Sequence, residues 1–239
     1  MYDPLEISLS FEYMKKLTEL CKNLDFAVMG GWGVYFHVND EYRKAFGTEY
    51  LKSRDIDIFI DGKDINKFNK IITNLGFIKS SYFFRYELIY GKNENRILNQ
   101  EEAKKKPIFD LIYIFLDVFS NSKIAKDAWI IEELKNVKIK MIDDIPVLDK
   151  NILLEMKCHS FFEREKLDKE YKDACDIYAL LMYGNTKLKT DKEKKAVEKI
   201  LSREDLCTFI AEHVLKDALK ENIVKMSVRN LLKPSYHFQ

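Results

Sequence analysis

Two aspartates lie at the start of a short stretch in which isoleucine occupies every second position. Asp55 and Asp57 belong to the sequence DIDIFI, whose period of two predicts a strand over 55–60. Side chains two residues apart on a strand point to the same face, with backbone positions roughly 6.6 Å apart. Two such carboxylates can converge on divalent cations about 3.5–4 Å apart, the spacing of two-metal phosphoryl chemistry. The pair therefore indicates a metal site, and the alternative is an Asp-x-Asp pair in a turn or at a solvated strand end.

Asp110 is the third candidate ligand. It interrupts the apolar sequence PIFDLIYIF, which predicts a second strand over 108–115. A carboxylate in such a strand is costly to bury unless it is paired, hydrogen-bonded or bound to a metal. Asp117 lies at an odd offset from Asp110, so on a continuous strand it faces the other way. We therefore expect Asp110, rather than Asp117, to join Asp55 and Asp57.

A glycine pair precedes these aspartates in the chain. Gly30 and Gly31 lie between the apolar sequence FAVM, which predicts a buried strand, and the predicted start of a helix. Glycines at such a position let the backbone approach a phosphate closely, and a helix N-terminus adds partial positive charge. The alternative is an ordinary turn between a strand and a helix.

In this order the motifs resemble the polymerase-β nucleotidyltransferase superfamily. The sequences MGGWGVYFHV and RDIDIFI are most similar to the branch that contains aminoglycoside nucleotidyltransferases and abortive-infection type nucleotidyltransferase toxins. The resemblance implies that Gly30 and Gly31 hold the triphosphate of a nucleoside triphosphate. It also implies that Asp55, Asp57 and Asp110 bind two Mg²⁺ ions. The chain departs from the family in the longer stretch between Gly31 and Asp55, and 39–54 is interpreted as an inserted loop or broken helix.

A lysine and an aspartate in the C-terminal half complete the candidate site. Lys157 falls on an apolar helical stripe with Leu153 and Phe161. The resemblance implies that Lys157 reaches the triphosphate, and the alternative is a surface lysine whose stem covers apolar groups. Asp173 lies in a sequence, KDACDIYALL, that also resembles the family. It could contact Lys157, orient the acceptor or act as a base, whereas Lys172 and Asp176 are spaced as a helix-surface ion pair.

Strands and helices must position these residues, and their order predicts the fold class. Strand and helix patterns alternate up to about Asp149, and only helical periodicity follows. The sequence thus predicts an α+β fold, with a mixed sheet flanked by helices and a C-terminal helical bundle. The predicted domains are 1–149, the catalytic domain, and 150–239, a helical domain.

Composition excludes several classes of protein. The formal net charge of +1 gives no global attraction to nucleic acid or to an anionic membrane. No apolar run is long enough to cross a bilayer, and the N-terminus lacks the pattern of a signal peptide. The four cysteines have no zinc-site spacing, so we expect reduced thiols in a cytoplasmic protein.

The motifs, together with the family that they resemble, imply a Mg²⁺-dependent nucleotidyltransferase that transfers a nucleoside monophosphate, for example from ATP, to an acceptor hydroxyl. Asp110 is also a candidate for accepting the proton of that hydroxyl. An aminoglycoside-like small molecule, a tRNA or other RNA, and a protein all remain open as acceptors, as does the oligomeric state. The main alternative is a non-catalytic module on the same fold that binds a nucleotide or a partner. A glycosyl-donor enzyme with an Asp-x-Asp motif is weaker, because no Rossmann-like βαβ series precedes the motif.

Overall fold

The first half of the chain forms one mixed β-sheet. The computed structural model describes residues 3–121 and 137–233. Within them the strands are β1 (Phe26–Met29), β2 (Ile56–Ile60), β3 (Ile78–Lys79), β4 (Arg85–Gly91), β5 (Arg96–Leu98), β6 (Leu111–Phe119), β7 (Ile139–Ile142) and β8 (Ile145–Leu148). The sheet order is β3-β4-β6-β2-β1-β8-β7, and β5 pairs with β4. Strand β2 is parallel to β6 and antiparallel to β1, so the sheet is mixed as predicted.

Helices precede, interrupt and follow the sheet. Over the described ranges they are α1 (Pro4–Leu20), α2 (Gly30–Phe46), α3 (Ile65–Asn74), α4 (Gln100–Ala103), α5 (Lys150–Glu163), α6 (Leu167–Met182), α7 (Asp191–Ser202), α8 (Glu204–His213) and α9 (Glu221–Leu232), with 3₁₀ turns at Ile108–Asp110 and Ala218–Lys220. After Leu148 the described chain contains helices and connections but no strand. The α+β class predicted from the sequence is thereby confirmed. None of the described helices is long and apolar enough to cross a bilayer.

The contacts within the chain group its residues into two compact units. The first unit comprises 1–33 and 52–149, and the second comprises 34–51 and 150–239. The predicted division into 1–149 and 150–239 differs from this grouping in residues 34–51. Helix α2 therefore contributes its first turn to the first unit and the rest of its length to the second.

Packing of aromatic rings explains why 34–51 groups with the second unit. Helix α2 continues to Phe46, so the inserted loop expected from residue 39 is wrong up to that point. The polar composition hid an i, i+4, i+8 series of Val38, Tyr42 and Phe46, and Tyr42 is fully buried. Its ring packs edge-on against that of Tyr183, with centroids 5.4 Å apart, and its hydroxyl donates to the carbonyl of Val214 at 2.6 Å.

The central strands of the first unit are held by their apolar residues. All four residues of β1 are buried, and Ile56, Ile58 and Ile60 of β2 are fully buried. At the start of α2, Trp32 is fully buried and its indole Nε1 donates to the hydroxyl of Ser10 on α1 at 3.0 Å. This contact fixes the first turn of α2 against α1, and so fixes the glycine pair at the end of β1.

Strand β6 begins later than the sequence predicts. A 3₁₀ turn occupies Ile108–Asp110 after Pro107, and the strand runs from Leu111 to Phe119 rather than over 108–115. Ile108 and Phe109 are exposed by 78% and 73%, so their apolar character marks a surface turn and not a buried strand. The shift removes Asp110 from the strand and brings Asp117 into it.

Candidate active site

Three charged side chains lie in one row across the sheet of the first unit. Asp57 on β2 is directly paired with Asp117 on β6, and Asp117 is directly paired with Arg85 on β4. Directly paired residues on neighbouring strands project from the same face, and the strands are about 4.8 Å apart. The structure therefore brings Asp57, Asp117 and Arg85 together on one face of the sheet.

Asp110 does not take part in this row. It ends the 3₁₀ turn before β6, where its carbonyl accepts from the amide of Lys92 at 2.9 Å. That is the end of β6 paired with Gly91, roughly 20 Å along the strand from Asp117 at about 3.3 Å per residue. The expectation that Asp110 converges with Asp57 is therefore wrong. Asp117 occupies the position, because β2 pairs with the far end of β6.

Gly30 brings the turn after β1 against Asp57. Its φ is +58°, a conformation that favours glycine, and a Cβ atom at this position would lie only 2.0 Å from Asp57 Oδ2. Helix α2 begins at Gly30, so its N-terminus is directed at the same place. Gly30 and Asp57 thus lie against each other, beside backbone amides and a helix N-terminus that can receive an anion. Asp55 directly precedes β2, which begins at Ile56 rather than at residue 55 as predicted.

Asp55 has a buried oxygen without a hydrogen bond. Its side chain is 26% exposed, but its Oδ1 atom is buried and accepts no hydrogen bond from any described residue. Arg54 Nε lies 3.7 Å from this oxygen, which is beyond hydrogen-bond distance. An ionised oxygen in this position costs free energy unless a cation or donor satisfies it, which suits a metal ligand.

The carboxylates meet some requirements of a Mg²⁺ site and fail others. Carboxylate oxygens are the ligands this hard cation prefers, and Asp55 and Asp57 provide them two residues apart. Asp117 lies beside Asp57, but both of its oxygens accept from the guanidinium of Arg85, at 2.6 Å from Nε and 2.7 Å from Nη2. Across residues 3–121 and 137–233, no set of three His, Cys, Asp or Glu side chains is arranged to hold a metal ion.

Arg85 is the cation that pairs with Asp117. The hydrogen bonds to Asp117 raise its pKa above the ordinary value, burial opposes them, and Asp55 and Asp57 add further electrostatic stabilisation. Sequence reasoning missed both Arg85 and Asp117. The sequence contained one indication of Asp117. The even-numbered residues of β6 are all aliphatic, so its odd-numbered face, which carries Asp117, is the one that can hold a charged group.

In the second unit, Lys157 is enclosed by carboxylates. Its Nζ lies 3.0 Å from Asp173 Oδ1 and 2.7 Å from Asp176 Oδ2, and only 12% of its side chain is exposed. Burial alone would lower the pKa of Lys157, but the two carboxylates outweigh burial and raise it. The alternative of a surface lysine is therefore wrong. Of the three roles left open for Asp173, the contact with Lys157 is present.

The carboxylates around Lys157 have further partners. Asp173 also accepts from Arg164 Nε at 2.7 Å and from Ser160 Oγ at 3.1 Å. Lys172 and Asp176 form the expected i, i+4 pair at 3.3 Å. Asp176 is fully buried, however, and accepts from the hydroxyl of Tyr50 at 3.0 Å, so this pair is part of the interior rather than of the helix surface.

Comparisons with known proteins give matches among solved structures. No protein-family model matches the chain, and no curated protein matches it. A nucleotidyltransferase-like antigen from Paracoccidioides brasiliensis is 17% identical, covers 89% of this chain and 97% of its own, and superposes with a TM-score of 0.48. The lincosamide adenylyltransferase LnuA, bound to lincomycin, is 16% identical over 73% of this chain and 96% of its own, with a TM-score of 0.41.

A third match is ANT(2″)-Ia in complex with adenylyl-2″-tobramycin. It is 12% identical, covers 95% of this chain and 98% of its own, and has a TM-score of 0.42. The solved structures that this chain resembles are thus nucleotidyltransferase-like proteins and antibiotic adenylyltransferases.

Proposed function

We propose that this chain is a Mg²⁺-dependent nucleotidyltransferase that transfers a nucleoside monophosphate from a nucleoside triphosphate to an acceptor hydroxyl. One observation carries the proposal: Asp57 is paired with Asp117 on the neighbouring strand and packs against Gly30 at the start of α2. Clustered carboxylates next to a helix N-terminus supply the two things that a Mg²⁺-triphosphate needs, oxygen ligands for the cation and amides for the phosphates.

Asp55 and Asp57 are the residues that would hold the two Mg²⁺ ions, with Asp117 as the third carboxylate in place of Asp110. When bound there, Mg²⁺ would neutralise charge on the triphosphate and lower the pKa of the acceptor hydroxyl. The amides at Gly30 and Gly31 orient the triphosphate, because they lie at the N-terminus of α2, where donors and partial positive charge attract an anion. Lys157 remains a proposed phosphate contact, held in place by Asp173.

For the acceptor we propose a small molecule that carries hydroxyl groups and positive charge, as an aminoglycoside does. The three carboxylates of Asp55, Asp57 and Asp117 outnumber the two arginines beside them, Arg54 and Arg85, so the local charge suits a cation better than a polyanion. The chain's net charge of +1 likewise offers no general attraction to RNA. A transfer assay would reveal RNA or protein as the acceptor if label passed to either of them instead.

The metal and nucleotide sites are tested by thermal unfolding with Mg²⁺ and a non-hydrolysable triphosphate. A ligand present at 100 times its dissociation constant stabilises the native state by about 2.7 kcal/mol. We expect the wild type to gain such stabilisation and Asp57→Asn to lose it. Asp110→Asn is the matched control, because it removes an identical charge from the other end of β6 and should keep the gain.

If the wild type gains nothing from Mg²⁺ and triphosphate together, the proposed function is wrong. If Asp110→Asn loses the gain as fully as Asp57→Asn, the placement of the site is wrong.

The second candidate function is a nucleotide-binding module without catalysis. The observation that favours it is the pairing of both Asp117 oxygens with Arg85, which leaves the third carboxylate engaged. Incubation with α-labelled nucleoside triphosphates and a panel of aminoglycosides, tRNA and protein separates the two functions. Label transferred to an acceptor, and lost in Asp57→Asn, supports the enzyme; nucleotide binding without transfer to any class supports the module.

A further inference from the structure

Arg85 is held in place on several sides. Its guanidinium donates from Nε and Nη2 to the two oxygens of Asp117, at 2.6 and 2.7 Å. Its central carbon lies 4.8 Å from the ring centre of Phe115, and 5.9 and 6.0 Å from those of Tyr82 and Phe84. Rings at these distances attract a guanidinium through their negative faces. With 19% of its side chain exposed, Arg85 is a fixed part of the face and not a mobile surface residue.

The backbone aligns Arg85 with the carboxylates. Arg85 is the direct partner of Asp117, and Asp117 is the direct partner of Asp57, so the order across the sheet is cation, carboxylate, carboxylate. Asp117 has only 9% of its side chain exposed. A carboxylate buried to this degree needs a cation or donors, and Arg85 supplies both in a bidentate pair.

We propose that Arg85 is the resident counter-cation of this carboxylate cluster and competes with the divalent cation for Asp117. It thereby sets the metal concentration at which the third carboxylate can join the site. The inference rests on the proposed function, since it assumes that Asp55 and Asp57 bind the metal. Arg85 acts through Asp117 and is a positioning residue in this scheme.

Competition follows from the geometry of the pair. Both oxygens of Asp117 are used, so a metal that binds one of them must weaken a charge-assisted hydrogen bond to Arg85. The positive charge of Arg85 also lowers the electrostatic attraction of a second cation to Asp57 and Asp55. Both effects act in the same direction, and both predict that the metal-free protein gains stability from Arg85 while metal affinity falls.

Calorimetric titration with Mn²⁺ alone, without nucleotide, tests the inference. We expect Arg85→Gln to bind Mn²⁺ about tenfold more tightly than the wild type, equivalent to about 1.4 kcal/mol. Arg85→Lys keeps the charge but loses the bidentate geometry, so its affinity should fall between the two. Arg96→Gln is the control, because Arg96 makes a similar pair with Glu102 at the far end of β4 and should leave Mn²⁺ affinity unchanged.

A second measurement follows thermal stability instead of Mn²⁺ affinity. Without metal, Arg85→Gln should unfold at a lower temperature than the wild type, and saturating Mn²⁺ should restore more stability to it than to the wild type. Measuring this recovery for Arg85→Lys as well keeps the test valid if Arg85→Gln folds poorly.

The outcomes separate this inference from the proposed function. If the wild type binds Mn²⁺ and Arg85→Gln binds it equally or more weakly, the competition is wrong and the metal site stands. If only Arg85→Gln binds Mn²⁺, the competition is supported and the wild-type chain fits the binding module. If neither binds, both the inference and the proposed metal site are overturned.

Discussion

Gly30 combines an unusual backbone conformation with close contact to the Asp57 carboxylate. It closes β1, starts α2 and lies against the Asp57 carboxylate. Its φ of +58° would strain any L residue, and the space for a side chain is filled by Asp57. The position therefore requires glycine for two separate reasons.

Gly30→Ala should separate those reasons when it is compared with Gly47→Ala. Gly47 also has a positive φ, +69°, but a Cβ there would meet nothing within 4 Å. We expect Gly47→Ala to cost about 1–2 kcal/mol from backbone conformation alone. Gly30→Ala should cost roughly 1–3 kcal/mol more, because Asp57 must move away. Urea unfolding measures both variants, and equal losses would contradict the contact with Asp57.

Lys157→Ala should be strongly destabilising. The substitution leaves Asp173 and Asp176 buried without their shared cation, and breaking a buried pair costs about 3–5 kcal/mol. The control is Lys44→Ala, which removes an exposed i, i+3 pair and should change stability little. Chemical denaturation measures both, and similar values for the two variants would contradict the buried cluster. Because this loss is expected, weaker triphosphate binding by Lys157→Ala would not by itself show a phosphate contact.

Asp173 should contribute stability that is lost in acid. Burial alone would raise the pKa of Asp173, but Lys157 and Arg164 outweigh burial and lower it. A lowered pKa means that the stabilisation is complete above the unfolded-state value of about 3.9 and disappears as pH falls through the folded-state value. The stability difference between wild type and Asp173→Asn should therefore be largest near pH 7 and shrink below about pH 4.

Thermal melts of both proteins between neutral and acid pH give that difference. Asp40→Asn, which changes an exposed aspartate of α2, is the control for removing a carboxylate charge from the surface. A difference for Asp173→Asn that stays constant down to the acid limit would show that the carboxylate charge contributes nothing.

Local pattern was enough to select the candidate residues that are close in sequence. Asp55 and Asp57 follow from a period of two, and the glycine pair follows from its place between a strand and a helix. Asp117 and Arg85 could not be found in this way, because their positions depend on how β2, β4 and β6 align across the sheet. An error of three residues in the start of one strand was enough to select Asp110 instead.

At the scale of elements, α2 shows how a polar sequence can hide a buried face. Between residues 39 and 54 the composition is polar enough to suggest a loop. Tyr42 and Tyr50 are nevertheless buried, with ring centres 5.3 Å apart. Their hydroxyls bond to the carbonyl of Val214 and to Asp176, so each aromatic residue also satisfies a buried acceptor of another segment.

Tyr42→Phe should isolate the hydrogen bond that holds α2 in the second unit. It keeps the ring and removes the hydroxyl, which leaves the carbonyl of Val214 without this donor. We expect a loss of about 1 kcal/mol, with up to about 3 kcal/mol if water cannot replace the hydroxyl. Tyr82→Phe alters an exposed tyrosine and should be nearly neutral. Denaturant unfolding with unchanged m-values checks both, and a neutral Tyr42→Phe would mean that the hydroxyl is not needed.

At the scale of the whole molecule, the second unit is discontinuous in sequence. Residues 34–51 leave the first unit through α2, pack with 150–239, and return to the sheet at β2. The change from mixed elements to helices was predictable from periodicity near residue 150. The grouping of 34–51 with 150–239 was not predictable, because it depends on contacts between segments more than 120 residues apart. The hydrogen bond from Tyr50 to Asp176 is an example.

The discontinuity predicts that 150–239 is an incomplete folding unit. Produced alone, this fragment lacks the hydroxyl partners of Val214 and Asp176 and exposes the apolar surface that Tyr42 covers. A small domain buries a smaller share of its surface than a large one and is only marginally stable, so losing part of its core should abolish cooperative folding. We expect weak circular dichroism at 222 nm and no sharp melt for the fragment, and recovery of both when a synthetic peptide of residues 34–51 is added. A peptide that carries Tyr42→Ala and Tyr50→Ala is the matched control and should restore neither, because it retains the helix but not the buried rings. A fragment that melts cooperatively at the same temperature with and without the peptide would show that 150–239 folds by itself, as the division at residue 149 predicted.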